Sequence, residues 1–472
     1  MDTTVTGLLE RSASVAATAS LPRAPQSVDD TGLGMGFLVE LVAKVMYQHG
    51  VTRLTDLATR LCLPAVVVDA VCHFMRREAL LEVLRRGQHE ADVNFELTDA
   101  GRTRAAAWLA RNRYAGPAPV SLADYVERVH AQSITHQRLS VNEVRAAFAD
   151  LVIPSELQDQ LGVAINSAKP MLLYGPSGSG KTYIAERLSR LLGGPVAIPH
   201  AICVHGEVSR IHDGECHRAV NSEPLADAGE RTLDGRSRTD ARWVLCERPV
   251  VLSGGELTLE MLDLHFDPRA GYYEAPPQFK ANNGLFIVDD LGRQAVSPRD
   301  LMNRWIVPME RRHDFLTLHS GAKFTIPFDL ALVFSTNLLP SQLDDAAFLR
   351  RLGHKIHIAS VTPAQYRLIL QRACVDEGVA PGADDSAWRL LLERHHTQGQ
   401  PLLACYPSGL LHLIASRAAY LGMPAELSTE SIGWAWNTYF AIEQTDHVNS
   451  VPVPAATPAA PAALHIETGS KT

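Results

Sequence analysis

The residues with the clearest chemical potential form a glycine-rich loop between an apolar run and a helical pattern. Pro170–Tyr174 precedes the loop, which matches G-x-x-x-x-G-K-[ST], and Tyr183–Leu192 follows it. The loop comprises Gly175, Pro176, Ser177, Gly178, Ser179, Gly180, Lys181 and Thr182. Backbone N–H groups in such a loop close around phosphate oxygens. The positive end of the dipole of the following helix also attracts the phosphate. The pattern therefore predicts an ATP site, with Lys181 on the β- and γ-phosphates and the Thr182 hydroxyl on Mg²⁺.

A second apolar run ends in two acids about one hundred residues downstream of the loop. Leu285–Val288 is typical of a buried strand, and Asp289 and Asp290 follow it directly. We expect Asp289 to hold Mg²⁺ through water, and Asp290 to orient or deprotonate the attacking water. Taken alone, the pair would be explained better as two acids that end a buried strand; the loop upstream favours the catalytic interpretation.

The rest of the pattern indicates which elements position these groups. Strand and helix patterns alternate over residues 166–360, which predicts an α/β fold with a parallel sheet covered on both faces. Three helical patterns and an alternating hairpin precede this region, and helical patterns alone follow it. The predicted divisions are a disordered arm (1–32), a small α+β domain (33–115), a helical linker (116–165), the α/β domain (166–360), a helical domain (361–445) and a disordered Pro/Ala-rich tail (446–472).

Together with two further motifs, these segments resemble the AAA+ P-loop ATPases. Ala331–Asn337 resembles the strand that carries their sensor 1, which implies that Asn337 helps to hold the attacking water. Asp344–Leu352 resembles the stretch that supplies an arginine finger to a neighbouring subunit, so Arg350 and Arg351 are the candidates. The resemblance covers residues 160–445 and implies a helical lid after residue 361. It also implies self-assembly into a ring, expected to be a hexamer.

A finer resemblance is to the AAA+ branch that contains MoxR-type ATPases and bacterial enhancer-binding activators. Phe315–Ile326 is predicted to form the hairpin that this branch places before sensor 1, and residues 249–279 to hold its helix-2 insert. Aromatic residues of that insert (Phe266, Tyr272, Tyr273) either grip a client or simply pack. Two departures favour slow turnover: Asp290 replaces the usual Glu, and Ser408 stands where a sensor 2 arginine is common.

The N-terminal region resembles a winged helix-turn-helix domain. Arg76, Arg77, Arg85 and Arg86 flank its third helix and its wing, where such domains contact DNA phosphates. Residues 33–115 contain eleven Lys/Arg and nine Asp/Glu, a net charge of only +2. This weak electrostatic footprint favours a protein-docking or structural role over DNA binding, which stays open as an alternative.

Composition limits the remaining function classes. The formal charge of −8 excludes a general nucleic-acid binder, and no apolar run is long enough to span a membrane. The start of the chain does not resemble a targeting peptide, and seven scattered cysteines fit reduced thiols, so we expect a cytoplasmic protein. A Cys/His group (Cys203, His205, His212, Cys216, His217) lacks paired zinc spacing and is better explained as a polar insertion loop.

Two functions follow from these patterns. In the first, a ring of subunits binds and hydrolyses Mg·ATP and remodels a protein client that the sequence does not name. In the alternative, nucleotide controls assembly of a regulator that holds DNA through the N-terminal domain. The insert and hairpin favour the remodelling ATPase.

Overall fold

A computed structural model of the protein describes residues 21–86, 93–220, 239–343, 346–382 and 384–440. The chain divides between Ser360 and Val361 into two compact units. The predicted tail lies outside the described residues, as do residues 1–20 of the predicted arm and Asp344 and Asp345 of the predicted finger segment.

The N-terminal part of the first unit is a small α+β bundle. Its elements are α1 (Met35–His49), β1 (Thr52–Arg53), α2 (Leu54–Leu61), α3 (Ala65–Arg77), β2 (Leu81–Arg86), β3 (Val93–Leu97) and α4 (Asp99–Arg111). The three strands form an antiparallel sheet in the order β1-β3-β2. Thr98 begins α4 by accepting a hydrogen bond from the Gly101 amide, and a Cβ at Gly101 would lie 2.1 Å from the Leu80 carbonyl oxygen. The winged-helix assignment of this bundle stays a prediction.

Residues 21–32, predicted as part of a disordered arm, are instead packed. Thr31 is fully buried, and the Pro22 carbonyl accepts a hydrogen bond from the Asp240 amide at 2.8 Å. The buried Arg242 guanidinium holds this segment because it pairs with Asp240 at 2.8 Å and also donates to the Thr31 carbonyl. The prediction was wrong because these partners lie about two hundred residues downstream, where a local pattern cannot indicate them.

The segment from residue 116 to 360 supplies the remaining elements of the first unit. They are β4 (Val120–Ser121), α5 (Leu122–Ala131), α6 (Val141–Ala147), α7 (Ser155–Ser167), β5 (Met171–Tyr174), α8 (Lys181–Arg187), β6 (Val196–Pro199), β7 (Ala201–Val204), β8 (Glu207–Arg210), β9 (Trp243–Cys246), β10 (Val250–Ser253), β11 (His265–Asp267), β12 (Tyr272–Glu274), α9 (Pro277–Lys280), β13 (Leu285–Val288), α10 (Pro298–Arg311), β14 (His313–Thr317), β15 (Lys323–Pro327), β16 (Ala331–Thr336), α11 (Ala346–Arg351) and β17 (His354–His357).

Five of these strands form the predicted parallel sheet, in the order β10-β13-β16-β5-β17. Every residue of β13 and β16 is buried, as expected for central strands covered on both faces. Apolar side chains fill one layer with Leu188 and Ile165 and the other with Trp305 and Phe348. The α/β class with a parallel sheet is therefore confirmed.

A second sheet, in the order β11-β12-β8-β7-β4, corrects two expectations. The linker predicted to be helical contains α5, α6 and α7 but also contributes β4, whose Val120 pairs in parallel with Ile202 of β7. The insert predicted at residues 249–279 begins too early, because β10 is the edge strand of the central sheet. Further strands lie before β10, where β7 and β8 pair antiparallel and β6 pairs with β9. The predicted loop around Cys203 is thus partly strand.

The second sheet and the N-terminal bundle share one hydrophobic core. Ala201 and Val208 of the sheet are buried in the same cluster as Leu41 of α1. The Arg113 amide donates to the Ala270 carbonyl at 2.8 Å, and the Tyr114 and Tyr272 rings meet edge to face at 5.5 Å. The bundle is therefore packed against the second sheet rather than separated from it by a linker.

The hairpin predicted before β16 is present as β14 and β15, paired antiparallel from His313 with Pro327 to Thr317 with Lys323. One face, which includes Leu316 and Ile326, is buried against the second sheet. The other face exposes Phe315. The alternation that predicted the hairpin therefore reflects a ribbon with one packed face.

The second unit is helical. It contains α12 (Pro363–Asp376), α13 (Ser386–Thr397), α14 (Tyr406–Leu421) and α15 (Thr429–Tyr439). Thr362 caps α12 in a capping box with Gln365, and the core gathers Tyr366, Trp436 and the buried His395. Ser408 is exposed in the first turn of α14.

Within the described residues, no single helix is long and apolar enough to cross a membrane. Only when they are taken together do α2 and α3, which are bent by 113°, have the length and apolar composition of a membrane span. One apolar face of each helix, which includes Leu57 and Val71, is buried in the core of the N-terminal bundle.

Candidate functional site

Three adjacent strands bring the predicted chemical groups to one edge of the central sheet. Gly175 follows β5, Asn337 follows β16, and Asp289 follows β13, and these strands are neighbours in the order β13-β16-β5. Because the strands are parallel, their carboxyl ends meet at the same edge, where open α/β sheets bind ligands. The sheet order explains why motifs about one hundred and fifty residues apart come together.

The phosphate-binding loop requires glycine for steric reasons. Gly175 has φ 154°, and a Cβ there would lie 2.2 Å from the Ile358 carbonyl oxygen, just after β17. Gly180 has φ 93° in the left-handed region and is the N-cap of α8. The hydroxyl of Ser179, buried in the same loop, makes no hydrogen bond to any residue that the structure describes. The loop is therefore a tight turn of the kind whose backbone N–H groups bind a phosphate group.

Lys181 is buried, and its ammonium group is hydrogen-bonded at the centre of the site. Its Nζ donates to the Gly175 and Pro176 carbonyls at 3.1 and 2.9 Å and to Asn337 Oδ1 at 2.7 Å. Burial lowers the pKa of Lys181 below its ordinary value, and the carboxylates of Asp289 and Asp290 oppose that shift.

Asn337 and the two acids complete a continuous chain of side-chain contacts. Asn337 Nδ2 donates to Asp290 Oδ1 at 3.2 Å, and Thr182 Oγ1 donates to Asp289 Oδ2 at 2.7 Å. Asp290 has φ 50°, a left-handed conformation that a non-glycine residue rarely adopts. The structure therefore brings Lys181, Thr182, Asp289, Asp290 and Asn337 together at one site.

One residue of this site was missed by the sequence patterns. Gln294 lies in the loop after Asp290, where its side-chain amide donates to the Asp289 carbonyl oxygen at 2.7 Å. No motif indicated it, because its position depends on the left-handed turn at Asp290, which no residue pattern specifies.

The two finger candidates differ in their surroundings. Arg351 Nε donates to Glu310 Oε1 at 2.5 Å, which ties it to α10 of its own chain. Arg350 is exposed at the end of α11, and the structure gives it no hydrogen bond or ion pair within the described residues. Among the described residues, Arg350 therefore has no contact of the kind that ties Arg351 to α10.

The insert aromatics do not project from the surface. Tyr273 is 2% exposed, donates its hydroxyl hydrogen to Glu207 Oε2 at 2.5 Å and accepts from the His319 amide at 2.8 Å. Phe266 stacks on the His319 ring at 5.1 Å, at the tip of the β14–β15 hairpin. These side chains therefore join the insert to the hairpin, which supports the packing interpretation over a gripping role.

Comparison with known proteins agrees with this geometry. A family model described as "Magnesium chelatase, subunit ChlI" matches residues 147–227, which include the phosphate-binding loop. A 50-residue stretch is 46% identical to the vesicle-fusing ATPase of Dictyostelium discoideum and to the vesicular-fusion protein SEC18 of Candida albicans. That stretch is 11% of this chain and only 6% of either relative. Over these stretches the chain is similar to AAA+ P-loop ATPases.

A domain of unknown function (DUF8689) matches residues 362–438, nearly the whole described part of the helical unit. The Thermotoga maritima RuvB Holliday junction branch migration motor has a TM-score of 0.35 at 13% identity, covering 61% of this chain and 69% of that one. NtrX from Brucella abortus has a TM-score of 0.34 at 12% identity, covering 66% and 56%. TM-scores and identities this low do not indicate a shared function.

AAA+ ATPases generally use Mg·ATP, and the oxygen atoms present fit that pairing. In the part of the chain that the structure describes, no group of three or more His, Cys, Asp or Glu side chains could hold a metal ion. Mg²⁺ does not need such a group, because it is commonly held by one or two carboxylates together with substrate phosphates. Thr182 and Asp289 provide adjacent hydroxyl and carboxylate oxygens of this kind.

Proposed function

We propose that this AAA+ ATPase binds Mg·ATP at the carboxyl edge of its central sheet and hydrolyses it there. The loop from Gly175 to Thr182 binds the phosphates, and Lys181 contacts the β- and γ-phosphates. Thr182 and Asp289 hold Mg²⁺, which when bound neutralises charge that develops on the phosphate oxygens. Asp290 orients or deprotonates the attacking water, and Asn337 helps to position that water.

The observation that carries this proposal is the bridging position of Asn337. Its amide oxygen accepts from Lys181 while its amide nitrogen donates to Asp290. Lysine can only donate and a carboxylate can only accept, so both ends of the amide are matched to their partners. When Lys181 turns to a phosphate, Asn337 loses its contact with the lysine and can change its hold on Asp290. The arrangement thus links phosphate binding to the residue that acts on water.

We propose further that the working form is a ring, in which Arg350 completes the site of a neighbouring subunit. The exposure of Arg350 supports this choice, as does the absence of an ion pair with any residue that the structure describes, whereas the Arg351 ion pair with Glu310 favours a role within its own chain. An arginine finger meets charge that develops in the transition state, so it affects turnover far more than ATP affinity. The ring is expected to be a hexamer.

The experiment that tests this proposal combines two inactive variants. Lys181→Ala should abolish binding of a fluorescent ATP analogue, whereas Arg350→Ala should bind it normally and lose about 10³-fold or more in turnover. Mixing the two should restore part of the activity, since some sites then join an intact loop to an intact finger. Arg351→Ala is the matched control, expected to keep most activity. Normal ATP binding by folded Lys181→Ala would refute the site, and no complementation despite co-assembly would refute the finger.

The work done by hydrolysis is proposed to be remodelling of a protein client. Packing of Tyr273 and Phe266 against the tip of the β14–β15 hairpin supports this, because the hairpin and α10 lead back along the chain to Asp289 and Asp290. Movement at Asp290 can thereby reach the insert and the N-terminal bundle packed on it. The client is testable by capture on an Asp290→Asn variant held with ATP; failure of any protein to bind in an ATP-dependent way would count against remodelling.

A second candidate is an ATP-controlled DNA-binding regulator. It is favoured by the exposed positions of His73, Arg76 and Arg77 on α3, the third helix of the predicted winged helix. Asp69 is also exposed on that helix, and the predicted net charge of this region is small. We therefore expect weak duplex binding by the full chain at physiological salt, little changed by Arg76→Ala with Arg77→Ala. Tight binding that this double variant abolishes would favour the regulator.

A further inference from the structure

The backbone turns away from the sheet immediately after β13, and this turn leaves polar groups without strand partners. Asp289 N still donates to the Ser253 carbonyl at 2.8 Å, as the parallel ladder requires. Asp290 then adopts its left-handed conformation, and the Arg293 amide closes a turn onto the Asp290 carbonyl at 2.9 Å. Because the chain no longer runs along the sheet, the Asp289 carbonyl and the Gly292 amide need partners from outside the ladder.

Gln294 supplies those partners with one side chain. Its Nε2 donates to the Asp289 carbonyl at 2.7 Å and lies 3.4 Å from the Gly254 carbonyl, just after β10. Its Oε1 accepts from the Gly292 amide at 2.9 Å. The side chain therefore contacts the loop on both sides of Asp290 and also the end of the neighbouring strand.

The orientation of this amide is fixed by chemistry. The oxygen faces an N–H group and the nitrogen faces carbonyl oxygens, so rotating the amide by half a turn would oppose like groups at each contact. On the other side of the turn, Leu291 N donates to the Ser335 carbonyl and Thr336 Oγ1 donates to the Leu291 carbonyl, at 2.8 and 2.7 Å. Gln294 is thus the only side chain of the loop itself, within the described residues, that contacts the backbone both before and after Asp290.

We propose that Gln294 is a positioning residue for ATP hydrolysis, which holds Asp290 in its left-handed conformation so that the carboxylate stays beside Asn337. This inference rests on the proposed function of Asp290. Unusual backbone conformations persist where surrounding contacts hold them, and Gln294 provides those contacts on the side of the turn away from β16. Gln294 does not touch the phosphates or the attacking water; it acts through Asp290.

The test separates turnover from binding. Gln294→Met keeps the length of the side chain but removes all its hydrogen bonds, and should lower kcat about 10- to 100-fold, as small misplacements of a catalytic group do. KM and the affinity for a fluorescent ATP analogue should stay within about 2-fold, since phosphate contacts are kept. Gln294→Glu keeps the acceptor for Gly292 but loses the donor to Asp289, and should lower kcat at least as much.

A matched control is available at Gln137. This half-buried glutamine also donates to and accepts from backbone, at the Gly193 carbonyl and amide, but lies in the connector before α6. Gln137→Met should leave kcat unchanged. Wild-type kcat in Gln294→Met would overturn the inference, and wild-type kcat in Gln294→Glu would overturn the part assigned to the Asp289 carbonyl.

A second measurement keeps this inference apart from the proposed function. Amide hydrogen exchange of the peptide from Asp289 to Val296 in nucleotide-free protein should quicken in Gln294→Met and not in Gln137→Met. If wild-type protein shows no ATP turnover, the proposed hydrolysis fails, and exchange alone then decides whether Gln294 holds the turn. Unchanged exchange would overturn the inference whatever the turnover.

Discussion

The two ends of β13 have the same kind of contact but opposite surroundings. At the carboxyl end, Asp290 has φ 50° and pairs with Asn337 at 3.2 Å. At the amino end, Asn283 has φ 62° and its amide donates to Asp329 at 2.6 Å. Asp290 and Asn337 are half-buried, whereas Asn283 and Asp329 are 1% and 5% exposed. An Asn–Asp pair beside a left-handed residue therefore marks both ends of one strand.

The partners of these pairs differ in whether they can be exchanged. Asp329 also accepts from Ser133 Oγ at 2.8 Å and from the Ile134 amide at 3.0 Å, so protein groups surround its carboxylate. Lys181, in contrast, contacts Asn337 only through a flexible side chain that a phosphate can redirect. Closed polar networks stabilise a fold, whereas open ones can change partners during a reaction. The comparison predicts chemistry at the carboxyl edge and stability at the amino edge.

The largest expected effect is a loss of turnover when Asp290, at the carboxyl end of β13, is replaced. Asp290→Asn removes the group that orients water, while its amide oxygen can still accept from Asn337, so the fold should survive. We expect kcat to fall about 10²–10⁴-fold, the range that general acid–base groups contribute. Steady-state turnover and binding of a fluorescent ATP analogue provide the measurement. Turnover at the wild-type rate would show that Asp290 is not the carboxylate that acts on the attacking water.

An Asp-to-Asn substitution at the amino end of β13 should lower stability and leave kcat largely unchanged. Asp329→Asn places an amide N–H₂ against groups that already donate, so one buried donor loses its acceptor. We expect a loss of about 2–3 kcal/mol in the free energy of unfolding of the first unit, the range for hydrogen bonds to charged groups. Thermal unfolding followed together with ATPase turnover provides the measurement. A large loss of kcat in protein that stays folded at the assay temperature would contradict the division between the two edges.

How far the sequence predicts each region depends on the distance over which its contacts act. The loop from Gly175 to Thr182 and the strand before Asp289 were predicted because each is a continuous run with its own periodicity. The parallel sheet that they require is confirmed. The roles of Asp290, Asn337 and Arg350 stay predictions, because they concern a reaction rather than a position.

The predictions that were wrong concern contacts between distant segments. Residues 21–32 lack any period of their own, and Arg242 holds them from far along the chain. β4 has only two residues, too few for an alternating pattern, and its place in the second sheet depends on β7. Gln294 could not be found for a similar reason, since a single polar residue in a loop carries no pattern. Local periodicity identifies elements, and pairing between distant elements decides the rest.

The smallest expected effect is a dependence of stability on pH, which buried histidines near the amino end of β13 produce. His217 is 2% exposed; its Nδ1 accepts from the Asp213 amide at 2.9 Å and its Nε2 lies 2.8 Å from the Lys280 carbonyl, three residues before Asn283. Burial lowers its pKa to about 4, against an ordinary 6.5; the bond to Lys280 and the charge of Asp213 oppose this shift, while His212 and the Lys280 ammonium add to it. Burial likewise lowers the pKa of His200 to about 4, with His212 as the second cause.

Because these pKa values are lower in the folded protein, the unfolded chain binds more protons between pH 6.5 and pH 4. The stability that the two neutral imidazoles provide is therefore complete above pH 6.5 and is lost as pH falls toward 4. After allowance for the partial exposure of His200, we expect a loss on the order of 2 kcal/mol across this window.

His217→Gln should lower stability at neutral pH but reduce the pH slope, whereas His396→Gln, at an exposed imidazole on α13, should change neither. Turnover per folded molecule should not follow this titration, because both imidazoles lie on the structural side of the comparison. A wild-type slope in His217→Gln would exclude His217 as a source of the pH dependence.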